Sequence, residues 1–339
     1  MKKFDTPMTS KKKKTIKINF RYFWDGFDPE NNFFTDILRQ EYNVEISDKP
    51  KYVFFSVYGE APKNIGSIGS KIRKISSPLY IFLRKFYATL FPIKEPELQG
   101  KDKSAVKIFF NTEWQKPDMS KCDWAFGYAY EDEIKNSRYM RLSEYLYYGY
   151  QIKNKLIKNK DYVEETAKSK TKFCNFIYSN EVKHRNDFFK KLSKYKHIDS
   201  PGKCMNNLPP LELGGWRGKS YEERTKTKLD FMKQHKFTIA FENKSIPGYT
   251  DEKIFHAMLM GSIPIYFGNN LIHRDFNTKS FVNCHEFKNF EEVIKRVIEI
   301  DQNEELYKEI LNQPWFHNNN PSEYFEDARI LNRLKEIFG

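Results

Sequence analysis

The stretch FTIAFENKSIPGYTDEKIFHAMLMGSIPIYFGN, residues 237–269, reads as strand, polar loop, helix, tight turn and strand, a complete β-α-β unit. Residues 237–241 form a short apolar run suited to a buried strand. The run stops at Glu242 and Asn243, and Pro247 and Gly248 mark the loop that follows. A helix is predicted to start near Thr250 or Asp251, with Ile254, Met258 and Leu259 on one face, and Gly261 ends it before a second strand at 263–267. Glu242, Asn243, Tyr249, Glu252 and Lys253 therefore gather where the first strand ends and the helix begins. In open α/β sheets that edge receives ligands, and a helix N-terminus favours phosphate.

The pattern FENxxxxxYxxEKIxxA followed by GxIPIYxG closely resembles the donor-binding signature of the α1,3/α1,4-fucosyltransferases, glycosyltransferase family 10. The more familiar Val-Thr-Glu-Lys is here Thr250-Asp251-Glu252-Lys253, so the Glu-Lys pair is kept. Other segments follow the family's order: an aromatic stretch with Trp24 and Phe27, a strand ending at Glu113, then Pro117-Asp118 and CDWAFG at 122–127. The resemblance implies an α/β fold of the GT-B kind, two Rossmann-type domains facing across a cleft. It also implies transfer of L-fucose from GDP-fucose to a hydroxyl of an N-acetylglucosamine-type glycan acceptor, in α1,3 or α1,4 linkage.

Length and composition agree with such an enzyme. At 339 residues the chain accommodates two domains. A hydrophobic share of 39% with 17% aromatic residues can build cores, which excludes global disorder. No run approaches the ~18 apolar residues of a membrane span. The net charge of +13 is concentrated partly in Lys2, Lys3 and the block 11–14, and no apolar segment follows to make a secretory signal. This basic arm is expected to be solvated, with weak peripheral membrane contact as its sharper reading. Cys122, Cys174, Cys204 and Cys284 are widely separated and show no zinc spacing, which points to a reducing, cytoplasmic setting.

The expected organisation is a flexible arm at 1–14, an N-terminal acceptor-side α/β domain at 15–160, a donor-binding Rossmann-like domain at 171–325 and a C-terminal helix at 326–339. Strands are predicted at 15–20, 43–46, 52–56 and around 108–110 in the first domain, and at 172–180 in the second. Residues 61–103 form an insertion whose basic, apolar part at 71–93 reads either as a helix packed on the sheet or as an acceptor- or membrane-facing element. Residues 145–158 read as a helix, 159–170 as a linker without apolar period, and 186–195 as a helix. The GGWRGKS segment lacks P-loop spacing, since Leu213 stands five before Gly218, and reads as a loop.

Inverting transfer needs a base for the acceptor hydroxyl, groups that stabilise the departing pyrophosphate, and contacts that align donor and acceptor. By resemblance the base is Glu113, although the usual Gly-Glu-Asn is here Thr112-Glu113-Trp114. Arg185 and Lys253 become the pyrophosphate cations, Asn243 and Tyr249 further phosphate or sugar contacts, and Glu252 the acceptor of ribose hydroxyls. Glu242, Ser179 and Asn180 complete the donor set, with helix capping as the alternative for the last two. An ion pair is the alternative for Glu252. The Arg138–Arg141 segment resembles a family element and is read as an interdomain or acceptor-side brace, and the acidic run 131–133 as a solvated turn. The seven histidines show no metal spacing and no Asp-x-Asp occurs, so no metal and no cofactor are assigned.

Three other readings remain at this level: a GT-B enzyme with another nucleotide sugar, a catalytically silent glycan-binding relative, and a nucleic-acid-binding protein using the basic arm. The last is disfavoured because the remaining basic residues form no run interleaved with aromatics. The acceptor, the linkage and the oligomeric state are not encoded in any motif found here.

Overall fold

The computed structural model describes residues 13–24, 26–58, 98, 100–150, 152–211 and 221–339. Most of the basic arm, most of the expected insertion and the GGWRGKS loop lie outside the described residues. In chain order the elements used below are β1 (Thr15–Arg21), α1 (Phe33–Glu41), β2 (Asn43–Ile46), β3 (Tyr52–Phe55), β4 (Val106–Asn111), β5 (Trp124–Gly127), α2 (Glu131–Ile134), β6 (Tyr139–Arg141), α3 (Glu144–Gly149), α4 (Tyr162–Lys168) and β7 (Lys172–Asn175). They continue with α5 (Lys183–Leu192), β8 (Ile198–Asp199), α6 (Tyr221–Met232), β9 (His235–Phe241), α7 (Glu252–Leu259), β10 (Ile263–Phe267), β11 (Val282–Asn283), α8 (Phe290–Gln302), α9 (Glu304–Asn312) and α10 (Asp327–Phe338). Two sheets result, with strand orders β2-β1-β3-β4-β5-β6 and β8-β7-β9-β10-β11. Among the described residues no helix is long and apolar enough to cross a membrane.

Two compact units divide the chain. The first takes in residues up to Phe110 together with 117–125 and 331–339. In it β1 lies between β2 and β3, and β3 pairs with β4, all parallel. All four residues of β3 are buried, as expected for a parallel strand covered on both faces. Phe20, Phe34, Phe54 and Phe110 form the centre of its core, with Phe34 4.6 Å from Phe54 and 5.0 Å from Phe110 between ring centroids. Asn32 caps α1 by accepting from the amides of Phe34 and Thr35. The end of α10 belongs here too: the Phe338 ring sits 4.4 Å from that of Tyr52, and Lys14 Nζ donates to the Phe338 carbonyl at 2.8 Å.

The second unit comprises 111–116 and 126–330. Its sheet is parallel throughout, with β7 between β8 and β9, and β10 between β9 and β11. The order changes direction at β7 and β9, so the crevice at their carboxyl ends is the place such a sheet offers a ligand. The decisive β-α-β unit falls where its sequence puts it, with β10 at the predicted residues and Gly261 (φ +64°) closing α7 in the left-handed conformation.

Elsewhere the elements depart from expectation. The strand predicted at 172–180 ends at Asn175, because Tyr178 turns in to bond β9: its hydroxyl donates to the Ile239 carbonyl and accepts from the Phe241 amide. The next helix spans 183–192 rather than 186–195. The supposed linker contains α4, whose Tyr162 and Thr166 pack against Gly261. The helix expected at 145–158 is α3 followed by a separate 3-10 turn at Lys153–Leu156. The acidic run 131–133 is the body of α2, pinned by Glu131 to Arg329 and by Asp132 to Arg274.

Candidate active site

The loop between β9 and α7 is held by buried hydrogen bonds. Asn269 accepts from the Gly248 amide at 2.8 Å and donates to Tyr130 Oη and Thr250 Oγ1. Gly248 adopts φ +79°, and a Cβ there would meet the Tyr128 carbonyl at 2.7 Å, so only glycine fits. Arg141 lies below, completely buried, its fork paired with both oxygens of Asp275 at 2.9 Å. It also donates to the carbonyls of Tyr128 and Gly248 and stacks on Tyr130 and Tyr324. Arg141 was expected to brace the domains or the acceptor side; its contacts instead lie within the second unit and grip the loop carrying Tyr249.

Above this support a chain of polar groups runs without interruption. Glu113 Oε2 lies 3.5 Å from Tyr249 Oη, which lies 3.1 Å from Asp251 Oδ2. Lys253 Nζ follows at 2.6 Å from Asp251 and 2.9 Å from Glu242 Oε2. Glu242 also accepts from the Asp251 amide at 2.9 Å, fastening the start of α7 to the end of β9. Glu113 is positioned by Asn111, which accepts from its amide and donates to its carbonyl and to that of Gln115. Glu252 pairs with Lys228 of α6 at 3.0 Å, the ion-pair alternative.

The electrostatics follow from crowding. Burial and then the Asp251 charge push Glu113 above the ordinary carboxylate range. The same two causes push Glu242 well above it. Glu252 stays below its ordinary value despite burial, because Lys253 and then Lys228 favour its charge. Lys253 overcomes its own burial through Asp251 and Glu242 and remains firmly an ammonium.

Arg185 stands apart from these carboxylates. It is 1% exposed, its guanidinium lies 3.8 Å over the Tyr178 ring, and it donates to Asn243 Oδ1 at 2.7 Å. Its Nε has no acceptor, an orphan donor of the kind an anion would satisfy. Ser179 and Asn180 occupy the exposed bend before α5; Val182 is the N-cap and no side chain caps that helix. Arg185 and Asn243 thus meet beside the carboxyl ends of β7 and β9, the crevice that the sheet order singles out.

Three participants carried no motif. Asp251 bridges Tyr249 and Lys253, and Lys228 reaches Glu252 from another helix. Glu144, the first residue of α3, brings one carboxylate oxygen within 4.8 Å of one each of Asp251 and Glu252. Burial and then those two charges push Glu144 well above its ordinary range. A lone acid entering the aromatic run Tyr145-Leu146-Tyr147-Tyr148 was the available signal. This acidic trio could ligate a cation, and Lys253 already places positive charge against two of its members.

Comparison with known proteins gives a consistent result. A family model described as "Glycosyltransferase family 10 (fucosyltransferase) C-term" matches residues 167–329, and one described as "Alpha-(1,3)-fucosyltransferase FucT N-terminal domain" matches 18–72. The chain is 28% identical over 266 residues to the alpha-(1,3)-fucosyltransferase FucT of Helicobacter pylori, covering 69% of this chain and 52% of that protein. It is 36% identical over 166 residues to a protein of Acanthamoeba polyphaga mimivirus named as a fucosyltransferase, covering 48% of this chain and 26% of that one. The chain therefore spans about a quarter to a half of the length of these relatives. Among solved structures, an alpha1,3-fucosyltransferase with GDP-fucose superposes with a TM-score of 0.65 at 24% identity, covering 98% of this chain and 93% of that one. This last likeness extends the agreement in fold to nearly the whole chain.

Proposed function

Since the chain belongs to glycosyltransferase family 10, the fucosyltransferases, we propose that it transfers L-fucose from GDP-fucose to a hydroxyl of an N-acetylglucosamine-type glycan, in α1,3 or α1,4 linkage. One observation carries this reading: Glu113, far from the β9–α7 loop in sequence, lies beside Tyr249 in a polar chain that ends at Lys253.

In this mechanism Glu113 removes the acceptor proton as the hydroxyl attacks the anomeric carbon. The β-linked donor is inverted to an α-fucoside and GDP departs. A carboxylate raised by burial retains useful basicity closer to neutrality. Arg185 and Lys253 stabilise charge developing on the β-phosphate. Their surroundings divide the task unequally. Lys253 is fixed by carboxylates that also offset its charge, whereas Arg185 faces a neutral amide and a neutral ring. Arg185 therefore supplies the stronger field, with a fork that suits phosphate oxygens. Glu252 accepts from the ribose hydroxyls, while Asn243, Tyr249, Ser179 and Asn180 border the donor and Glu242 holds the loop. Charge is offset by these cations, with no metal or cofactor required.

The test is GDP release from GDP-fucose with N-acetyllactosamine. Wild-type protein is expected to turn over, and Glu113→Gln to lose about 10²–10⁴-fold in rate while still binding GDP. Turnover by the variant at the wild-type rate would refute the assignment of the base.

A further inference from the structure

Trp114 directly follows Glu113 and is 51% exposed, one of two large hydrophobic side chains among the described residues that stand open to solvent, the other being Tyr58. Its placement is built rather than loose. The Tyr128 hydroxyl donates to the Trp114 carbonyl at 2.8 Å, and Asn111 holds the residues on either side through the carbonyls of Glu113 and Gln115. The Lys244 ammonium, from the β9–α7 loop, lies 3.6 Å over the indole ring. That cation occupies one face of a ring that is half open to solvent.

A half-open indole beside the base offers an apolar face that gains free energy when a ligand covers it. The base must touch the hydroxyl that attacks, and consecutive Cα atoms are about 3.8 Å apart. The sugar ring bearing that hydroxyl therefore lies within reach of the indole. Pyranoses present a face of C–H bonds, whose positive edges complement the negative face of an aromatic ring. A cation on the far side leaves the open face as the one available for stacking.

We propose that Trp114 is the acceptor platform: the pyranose carrying the nucleophilic hydroxyl stacks on the indole face opposite Lys244, which fixes that hydroxyl against Glu113. The ligand class is a neutral hexopyranose or N-acetylhexosamine unit with an uninterrupted C–H face. This rests on the transferase reading and adds a specificity-determining residue to it.

The test compares Trp114→Ala and Trp114→Phe with wild type, using N-acetyllactosamine as acceptor. In Trp114→Ala the acceptor KM is expected to rise about tenfold, the yield of one lost aromatic contact. The donor KM and acceptor-free GDP release should stay within about twofold of wild type, and Trp114→Phe should restore most of the acceptor affinity. An unchanged acceptor KM in Trp114→Ala overturns the platform, as does an equal rise in donor KM. Should wild type release no GDP from GDP-fucose, the transferase reading fails, and the platform is then judged by saturation-transfer NMR with N-acetyllactosamine. Saturation transfer that wild type shows and Trp114→Ala lacks upholds it. Absence from wild type, or persistence in the variant, overturns it.

Discussion

A carboxylate works as a base only when its proton affinity is high enough to take a proton and its charge is not locked in an ion pair. Glu113 has its affinity raised by burial and by Asp251, and its nearest polar partner is a phenol rather than a cation. The acid limb of kcat/KM against pH should therefore lie above the ordinary glutamate range, activity falling as pH drops through it. Tyr249 tempers that shift by its hydrogen bond, so Tyr249→Phe should move the limb to still higher pH, read from the same profile. A limb that stays put or moves down would separate Tyr249 from the base. Glu144 tests the crowding in another way. Its folded-state pKa is raised, so its contribution to stability is present below the ordinary glutamate value and is lost as pH climbs through the folded value. Glu144→Gln keeps the shape and removes the charge. It should raise the melting temperature by about 2–4 °C at pH 8, equivalent to roughly 1 kcal/mol, with the gain vanishing toward pH 4, as measured by thermal unfolding.

Among the elements, the β9–α7–β10 unit was legible because its apolar runs, its loop residues and its closing glycine each act locally. What joins it to the rest was not. Glu144 and Lys228 reach the site from helices whose sequence spacing to β9 carries no signal, and Arg141 meets Asp275 only through the tertiary fold. The helix α4 went unread because it buries no residue and has no apolar period; Tyr162 and Thr166 meet Gly261 only through the tertiary fold. The Arg141–Asp275 pair makes the loop 248–250 dependent on elements on both sides of it in the chain. Removing one member of a buried pair leaves the other charge uncompensated, at a cost of about 3–5 kcal/mol. Asp275→Asn should accordingly lose that much stability in urea unfolding. In the surviving folded protein the KM for GDP-fucose should rise, because Arg141 also holds the Gly248 carbonyl next to Tyr249. A donor KM unchanged in folded Asp275→Asn would show that the brace serves stability alone.

On the scale of the molecule, both sheets wind outward from an inner strand to either side, β2-β1-β3-β4 in one and β8-β7-β9-β10 in the other, although no internal repeat is visible in the sequence. Burial of parallel strands demands only an apolar run of the right length, which many sequences meet, so a shared winding leaves no shared signature. The four cysteines are free and buried, and neither sheet depends on a covalent link. The first unit depends instead on residues 331–339, where Phe338 packs on Tyr52 and its carbonyl receives Lys14. Deleting 331–339 should speed amide hydrogen exchange in β1–β3 and leave β7–β10 protected, a contrast that mass spectrometry resolves peptide by peptide. Equal loss of protection in both sheets would contradict a stabilising role confined to the first unit.

That closing segment also sets an order of events during synthesis. The second unit is contiguous enough from 126 to 330 to assemble as the chain leaves the ribosome, but the first, although begun earlier, waits until residues 331–339 have been made. Its phenylalanine-rich strands stay incompletely covered through that interval, and apolar strands left open in this way are the aggregation-prone part of a nascent chain.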